Sequence, residues 1–508
     1  MTEDASNSPT SPPESGSSES ELIAIRREKL DRIRELGVDP FGSRFETSTT
    51  ASALKETFAD DLPVRLAGRI LAIRDMGKSV FFVIGDVHGR IQGYLNKKGV
   101  SERDWEIWQL LDRGDWVGID GVTFTTGKGE PTVKVASLEI LSKALRPMPD
   151  KWHGVADREI KYRKRHLDLM ANVDSADLFV LRSRILAEIR NFFHERDFLE
   201  VETPMLQDVA GGAAARPFET HHNALNMPLT LRIAPELYLK RLLVGGFPKV
   251  FELNRNFRNE GISRRHNPEF TMLEWYRAHG SIRDVMNDVT QLCRYLTTKV
   301  SGTVPMPDQS WPILKVRDLF QDKLGIRLTG RESPQELLAQ AQDSEMGTTV
   351  EDLTESNTDA LTYESVFFRL WDQIEPELGK ECPVWVWEWP LPLASLARPL
   401  PDSPGFADRA ECYVNGIELA NGFGELTDPE EQLRRFQSDL ELREKTSRQP
   451  VPLDHKFLQS LKDGMPHSAG MALGLDRLLL WLTGSKNISQ VLTFSAPLPL
   501  LCSYQIVE

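Results

Sequence analysis

The chain has 508 residues, with 61 Lys and Arg against 75 Asp and Glu, giving a formal net charge of −14. That length holds two or three domains with ample core, and the acidity argues against indiscriminate nucleic-acid binding while leaving room for a local basic surface and a selective RNA partner. No apolar run approaches the roughly 18 residues of a membrane span, and the four cysteines (Cys293, Cys382, Cys412, Cys502) lack the spacing of a zinc site or disulfide framework, which fits a reducing cytoplasm.

Residues 1–20, MTEDASNSPTSPPESGSSES, are rich in Ser, Pro and Glu and lack the basic start and apolar middle of a signal peptide, so a disordered tail is expected. From Glu21 to Gly37 the spacing predicts an amphipathic helix with Leu22, Ile23, Ile25, Leu30, Ile33 and Leu36 as its stripe. Arg26, Arg27, Lys29, Arg32 and Arg34 surround that stripe, either as a solvated face or as a basic arm for an RNA backbone. Between Val64 and Leu141 three strands break at Met76-Gly77 and His88-Gly89, a helix follows near Glu102–Leu111, and strands return at 115–125 and 132–140. Five strands with a helix between the third and fourth is the order of an OB-fold barrel, whose face takes single-stranded nucleic acid; the first domain is therefore placed at 21–142. Of Phe81 and Phe82 only one can face outward, and Phe81 is expected to.

Residues 143–172 read as a Pro-punctuated basic connector, with Lys161, Arg163, Lys164 and Arg165 placed for phosphate contacts. The remaining domain, 173–508, opens with a helix over Ser175–Arg196 and a strand, FLEVETPML. A Gly-rich turn then leads to a helix opened by Pro235, with Glu236 in its first turn. The pair His221-His222 reads as loop filler rather than a metal site.

In Lys249–Tyr276, KVFELNRNFRNEGISRRHNPEFTMLEWY, alternation puts Glu252, Asn254, Asn256 and Arg258 on one strand face, and Phe270, Met272, Glu274 and Tyr276 on one face of the next. The basic loop between them exceeds what a hairpin needs. Arg258 can fork onto a phosphate or carboxylate, Arg264 and His266 can reach a pyrophosphate, and Phe270 can stack a purine. Over 300–380 only SPQELLAQAQ and YESVFFRLWDQIEPEL look helical, around a polar loop at 343–359. ECYVNGIELANGFGE (411–425) adds a second carboxylate cluster, in which two carboxylates can hold Mg2+ on nucleotide phosphates and one can pair a cationic tail. Glu418 and Asn421 have opposite parity, so a bulge is expected between them. Arg477 sits in the first turn of a helix within Gly470–Ser485, an anion site. There is no convincing triad or P-loop pattern.

FRNEGISRRHNPEFTMLEWY resembles motif 2 of the class II aminoacyl-tRNA synthetases, closest to their lysyl group, and GMALGLDRLLL resembles motif 3. The 175–204 segment has the shape of motif 1, and RLAGRI, MGKS, FFVIGD and GRIQGY resemble the anticodon-binding domain of the lysyl enzymes. The resemblance implies an α+β protein: an N-terminal OB-fold β-barrel plus an antiparallel β-sheet catalytic domain flanked by helices, dimeric through motif 1. It implies ATP-dependent activation of lysine and transfer to tRNA(Lys). Carried over by motif, Arg258 and Arg477 become catalytic. Glu260, His266, Asn267 and Phe270 join them around ATP. Gly212, Glu236, Glu274, Tyr276, Asn421, Phe423 and Glu425 surround lysine, Glu411 and Glu418 hold Mg2+, and Arg74, Phe81, Gln92 and Glu130 read anticodon bases. WPLPLASLARP, NGIELANGFGELTD, MALGLDR and LEWYRAHG look more like the related enzymes that attach (R)-beta-lysine to elongation factor P, and FSAPLPLLCSYQIVE departs from the usual synthetase ending. Ala472 stands where synthetases have glycine, whereas Ala234 is synthetase-like. Transfer to a lysine of elongation factor P, and a non-catalytic RNA-binding paralogue, are therefore the alternative expectations.

Overall fold

The computed structural model describes residues 19–42, 44–87, 89–148, 158–213, 215–304, 306, 310–344, 346, 350, 361–446 and 452–495. The expected tail lies outside the described residues apart from Glu19 and Ser20, as do most of the 343–359 loop and the ending from residue 496. The chain divides into two units, 1–177 and 178–508.

In the first unit α1 (Glu19–Glu35) and α2 (Ala51–Glu56) precede strands β1 (Pro63–Asp75), β2 (Ser79–Asp86) and β3 (Gly89–Asn96), helix α3 (Glu102–Leu110), and strands β4 (Trp116–Thr125) and β5 (Pro131–Ser142). The strands close a barrel in the order β1-β2-β3-β5-β4. Alternation buries Leu66, Phe82, Ile84, Ile91 and Leu95 inside it, so Phe81 faces outward as expected. On α1 the buried face carries Arg26 with Leu30 and Ile33, while Ile25 is exposed. Arg26 donates to the carbonyls of Arg113, Ala144 and Arg146, and therefore belongs to the interior rather than to a basic arm. The connector expected from residue 143 also begins inside the barrel unit. The Lys143 side chain is fully buried, its Nζ 2.6 Å from Asp112 and 2.8 Å from Asp115.

Residues 149–157 lie outside the described residues, and two short helices, α4 (Arg158–Arg163) and α5 (Arg165–Ala171), follow. Arg165, expected on the surface, is 1% exposed and 2.6 Å from Asp168, which also takes bonds from Asn172 and Ser175. A charge with that many fixed partners is a structural clamp, not a phosphate contact. Arg163 and Lys164 do face solvent.

Helix α6 (Val173–His194) crosses into the second unit. Its platform is a nine-stranded sheet ordered β12 (Ile313–Lys315), β13 (Val384–Pro390), β15 (Ser403–Val414), β16 (Ile417–Gly424), β17 (Ser468–Gly474), β11 (Glu269–Ala278), β10 (Lys249–Phe257) and β6 (Leu199–Glu200), with β14 (Pro399–Leu400) beside β15. A small sheet orders β7 (Leu206–Gln207), β9 (Met227–Leu231) and β8 (Glu219–His222). From β13 to β10 every pair is antiparallel, but β12 and β6 pair parallel at the edges, so the sheet is mixed rather than antiparallel throughout. Alternation assigns faces and carries no information on strand direction, which is why the sequence did not show this. One face, with Phe251, Leu273, Trp275, Met471 and Leu473, packs on α8 (Ile282–Lys299) through Val285, Val289 and Leu292. The poorly patterned 300–380 region builds a second core, in which Phe320 stacks on Phe367 at 4.9 Å and Trp371 meets Trp389 at 4.9 Å. Among the described residues no helix is long and apolar enough to cross a membrane.

Lys143→Ala leaves the buried Asp115 without its counter-charge. The expected cost to the barrel unit is about 3–5 kcal/mol, read as a lower urea midpoint; an unchanged midpoint contradicts the buried pair.

Candidate active site

The opposite sheet face is polar because one register row crosses six strands. Val386 lies beside Glu411, Glu411 beside Asn421, Asn421 beside Ala472, Ala472 beside Glu274, and Glu274 beside Glu252. Next to the row, β16 carries the expected bulge. Pairing shifts between Cys412 and Tyr413, leaving Leu419 extra, so that Glu418 and Asn421 turn to the same side. Asn421 then donates to Glu411 at 3.0 Å and Glu418 at 3.3 Å.

Above the row lies a cavity of about 660 Å³. At one end the Arg258 guanidinium sits 5.1 Å over the Phe270 ring, as a cation–π pair, with Glu260, His266 and Asn267 on the same wall. Burial lowers Arg258 from the ordinary arginine value, while Glu418 and Glu260 oppose the shift. His266 accepts from Arg477 at 2.9 Å, and burial plus that guanidinium hold it below the ordinary histidine value, hence neutral. Arg477 stands in the first turn of the helix Leu475–Thr483 and donates to both the backbone and the carboxylate of Glu418. Burial works against the Glu418 charge, yet Arg477, Arg409 and Arg258 together hold its carboxyl below the usual range.

At the other end, Glu274 accepts from the Tyr276 hydroxyl at 2.7 Å. Its second oxygen is buried without a partner, and burial, reinforced by Glu236, pushes the carboxyl well above its ordinary value. Arg258 Nε, Arg409 Nε and Asn421 Oδ1 are likewise buried and unsatisfied. Orphaned donors and acceptors converging on one cavity are the signature of a site completed by a polar, charged ligand. Gly212, with φ +86, brings the turn against α7 (Glu236–Val244), where an added Cβ would lie 2.9 Å from Glu236 Cβ.

Glu411 and Glu418 supply two carboxylates on one side of the cavity, and burial pushes Glu411 up to about 7 against the pull of Arg409. Two carboxylates joined through Asn421 and open toward a phosphate-sized space suit Mg2+, which keeps few protein ligands and shares its shell with phosphates. No group of three or more metal-type side chains occurs among the described residues, His221 and His222 included.

Of the lysine-pocket residues expected from the sequence, Glu425 is the exception. It is 1% exposed, outside the cavity lining, and 2.5 Å from Lys240 Nζ. Lys240, Arg409, which bonds Glu411, and Arg232, which bonds the row's Glu252 at 2.7 Å, escaped the sequence reading. The Glu236–Lys240 spacing of one helical turn was the only available signal for the first.

In the first unit Arg74 pairs in register with Phe81, and Phe81 with Tyr94, whose rings are 4.9 Å apart; Phe124 stands 6.0 Å beyond. Gln92 bonds Thr132 on the neighbouring strand, and Glu130 is exposed just before it. Tyr94 and Phe124 thus extend an outward aromatic strip that the sequence reading had limited to Phe81.

Two family models match the chain: residues 64–141 fit the OB-fold nucleic acid binding domain, and residues 157–497 fit the tRNA synthetases class II (D, K and N). The chain belongs to these class II tRNA synthetases. Among its relatives, the Lysine--tRNA ligase of Carboxydothermus hydrogenoformans is 42% identical over 485 residues, 93% of this chain and 97% of that protein. That of Pelotomaculum thermopropionicum is 41% identical, over 93% and 94%, and that of Staphylococcus epidermidis 40%, over 93% and 97%.

A Cβ on Gly470 would meet Tyr276 ring carbons at 2.2 and 2.4 Å and Glu425 Oε1 at 2.7 Å. Gly470→Ala should therefore displace Tyr276 and weaken ligand binding about tenfold or more. Calorimetric titration checks this, and wild-type affinity in a folded variant contradicts the packing described.

Proposed function

We propose that the protein activates lysine with ATP to lysyl-adenylate and transfers the lysyl group to tRNA(Lys), as a lysine--tRNA ligase. The observation that carries the reading is the pairing, within one cavity, of a buried carboxylate that lacks a cation (Glu274) with a guanidinium stacked on a phenyl ring (Arg258 over Phe270). The relatives named Lysine--tRNA ligase match nearly the whole chain, which supports the same substrate and acceptor.

The chemistry is in-line attack of the amino-acid carboxylate on the α-phosphorus of ATP, so positioning two anions and offsetting charge is what the protein must do. Arg258 bridges the carboxylate and the α-phosphate, and Phe270 stacks the adenine. Glu260, His266 and Asn267 hold the nucleotide, with neutral His266 accepting from Arg477. Arg477, at a helix N-terminus, takes the terminal phosphate. Glu411 and Glu418 would hold Mg2+, which would supply positive charge to the phosphates. Glu236, near Gly212, takes the α-ammonium group. Glu274, Tyr276, Asn421 and Phe423 line the side-chain end, backed by Glu425. An uncharged isostere leaves the buried carboxylates unsatisfied, which is the source of selectivity.

The barrel strip Arg74–Phe81–Tyr94, with Gln92 and Glu130, reads the anticodon by stacking and edge hydrogen bonds. Exposed Leu199, Met205 and Leu206, following α6, support a homodimer formed through this segment. Free Cys293, Cys382 and Cys412 support a reducing cytoplasm. One observation favours a second reading, transfer of lysine or beta-lysine to elongation factor P: the Ala472 methyl lies in the row between Glu274 and Asn421, where it narrows the pocket floor. A methyl there is worth about 1–3 kcal/mol of discrimination between lysine isomers. The intact ATP wall leaves nothing that favours a non-catalytic paralogue.

Purified protein should show lysine-dependent ATP–pyrophosphate exchange and charge tRNA(Lys), with Arg258→Ala lowering kcat/KM about a hundredfold or more. Lysyl or beta-lysyl transfer to elongation factor P with uncharged tRNA transfers the proposal to the second reading, and absence of exchange removes both. Burial favours the protonated form of Glu274 in the empty pocket, so lysine binding is expected to be linked to loss of that proton. Affinity should thus rise with pH through the raised value, with proton release in calorimetry that Glu274→Gln abolishes. The linked sign for stability is opposite: above the ordinary carboxylate range the native state keeps a proton that the unfolded chain has lost, so the ligand-free protein loses stability as pH rises.

A further inference from the structure

Lys240 is fully buried within α7, on the far side of the pocket wall from the cavity. Its Nζ is 2.5 Å from Glu236 Oε1 and 2.5 Å from Glu425 Oε2, while its other side faces the Phe457 ring at 5.9 Å. Glu236 reaches it from one helical turn earlier, and Glu425 from the end of β16. Tyr276 and Glu274 of β11 face the same group from the cavity side, and Arg398 adds a more distant positive charge. Two carboxylates assigned to a cationic substrate thus share one internal cation.

Resting on the lysine reading above, we propose that Lys240 is a positioning and specificity residue: it aligns Glu236 and Glu425, favours their ionised forms and sets the pocket's charge to match a substrate with two ammonium groups. The count is direct. With lysine bound and all three carboxylates ionised, Glu236, Glu274 and Glu425 carry three negative charges, Lys240 offsets one, and two remain for the α- and ε-ammonium groups of lysine. Buried carboxylates without this counter-ion would take up protons and lose their hold on the substrate. Burial opposes the Lys240 charge too, but the two carboxylates raise it above the ordinary lysine value and keep it cationic. Even with Lys240 present, burial pushes Glu425 up to about 8, Lys240 opposing and Glu236 reinforcing the shift. The ammonium lies behind the wall, so it supports the substrate groups without competing for their place.

The test is lysine-dependent ATP–pyrophosphate exchange by Lys240→Met from pH 6 to pH 9. The lysine KM should rise about tenfold or more at neutral pH with kcat within about twofold, and the gap should narrow as pH rises and the carboxylates ionise. An unchanged KM, a fall in kcat alone, or a gap constant with pH overturns the proposal. Should Lys240→Met fail to fold, Lys240→Met is compared within a Glu425→Gln background, where the buried pair becomes neutral together. There the added substitution should change KM by less than about twofold, and a further tenfold rise overturns the proposal. Absence of exchange by the unaltered protein would instead remove the lysine reading itself.

Discussion

The site depends on strand register. Glu411, Asn421, Ala472, Glu274 and Glu252 share one row because adjacent strands pair without slippage there from β15 to β10, and the one slip between β15 and β16, beyond the row, brings Glu418 to the same side. A one-residue shift in any of these ladders would exchange that row for the apolar side chains of the other face, placing carboxylates against α8 and leucines in the cavity. The Leu419 bulge is therefore a structural requirement: without it Glu418 would turn away from Asn421 and Arg477. The apolar packing of Leu273, Trp275, Met471 and Leu473 on α8 makes such a shift costly, so the core and the site enforce each other.

On that platform, electrostatics does the rest. Acidic groups under the cavity are held by fixed cations: Arg409 on Glu411, Arg477 on Glu418, Arg232 on Glu252 and Lys240 on Glu425. Glu274 of the same row has a tyrosine hydroxyl in place of a cation. Charges fixed in place before the ligand arrives need little reorganisation on binding, which is how a low-dielectric site stabilises developing charge. Behind them Asp476 accepts from Arg182 of α6 at 2.7 Å and from the Thr271 backbone at 2.9 Å, tying the Arg477 helix to α6 and to the strand that bears Phe270. Asp476 thus joins the Arg477 end of the cavity wall to the Phe270 end.

Much of this was legible in the chain because strand alternation is a strong signal. It assigned the faces of β10 and β11 residue by residue, and the parity conflict between Glu418 and Asn421 located the bulge. Motif words gave the barrel and grouped Arg258, His266 and Phe270, which line one cavity wall. Contacts made across long sequence separations were not legible: Lys240 with Glu425, Arg232 with Glu252, Arg26 with the carbonyls after β5. Long basic side chains read as surface until their carbonyl or carboxylate partners are known, which is why Arg26 and Arg165 were expected in solvent. The second core, around Phe320 and Trp371, has no strong periodic pattern because its helices are short and its aromatic residues meet only in the fold.

The account stands on one cavity serving a nucleotide and a cationic amino acid together. A crystal structure with lysine and a non-hydrolysable ATP analogue tests it most directly. The expected result has adenine on Phe270, the α-phosphate and lysine carboxylate both on Arg258, and an ammonium group within hydrogen-bond distance of the Glu274 oxygen that now lacks a partner. A nucleotide bound away from Phe270, or a lysine side chain directed away from Glu274, contradicts it.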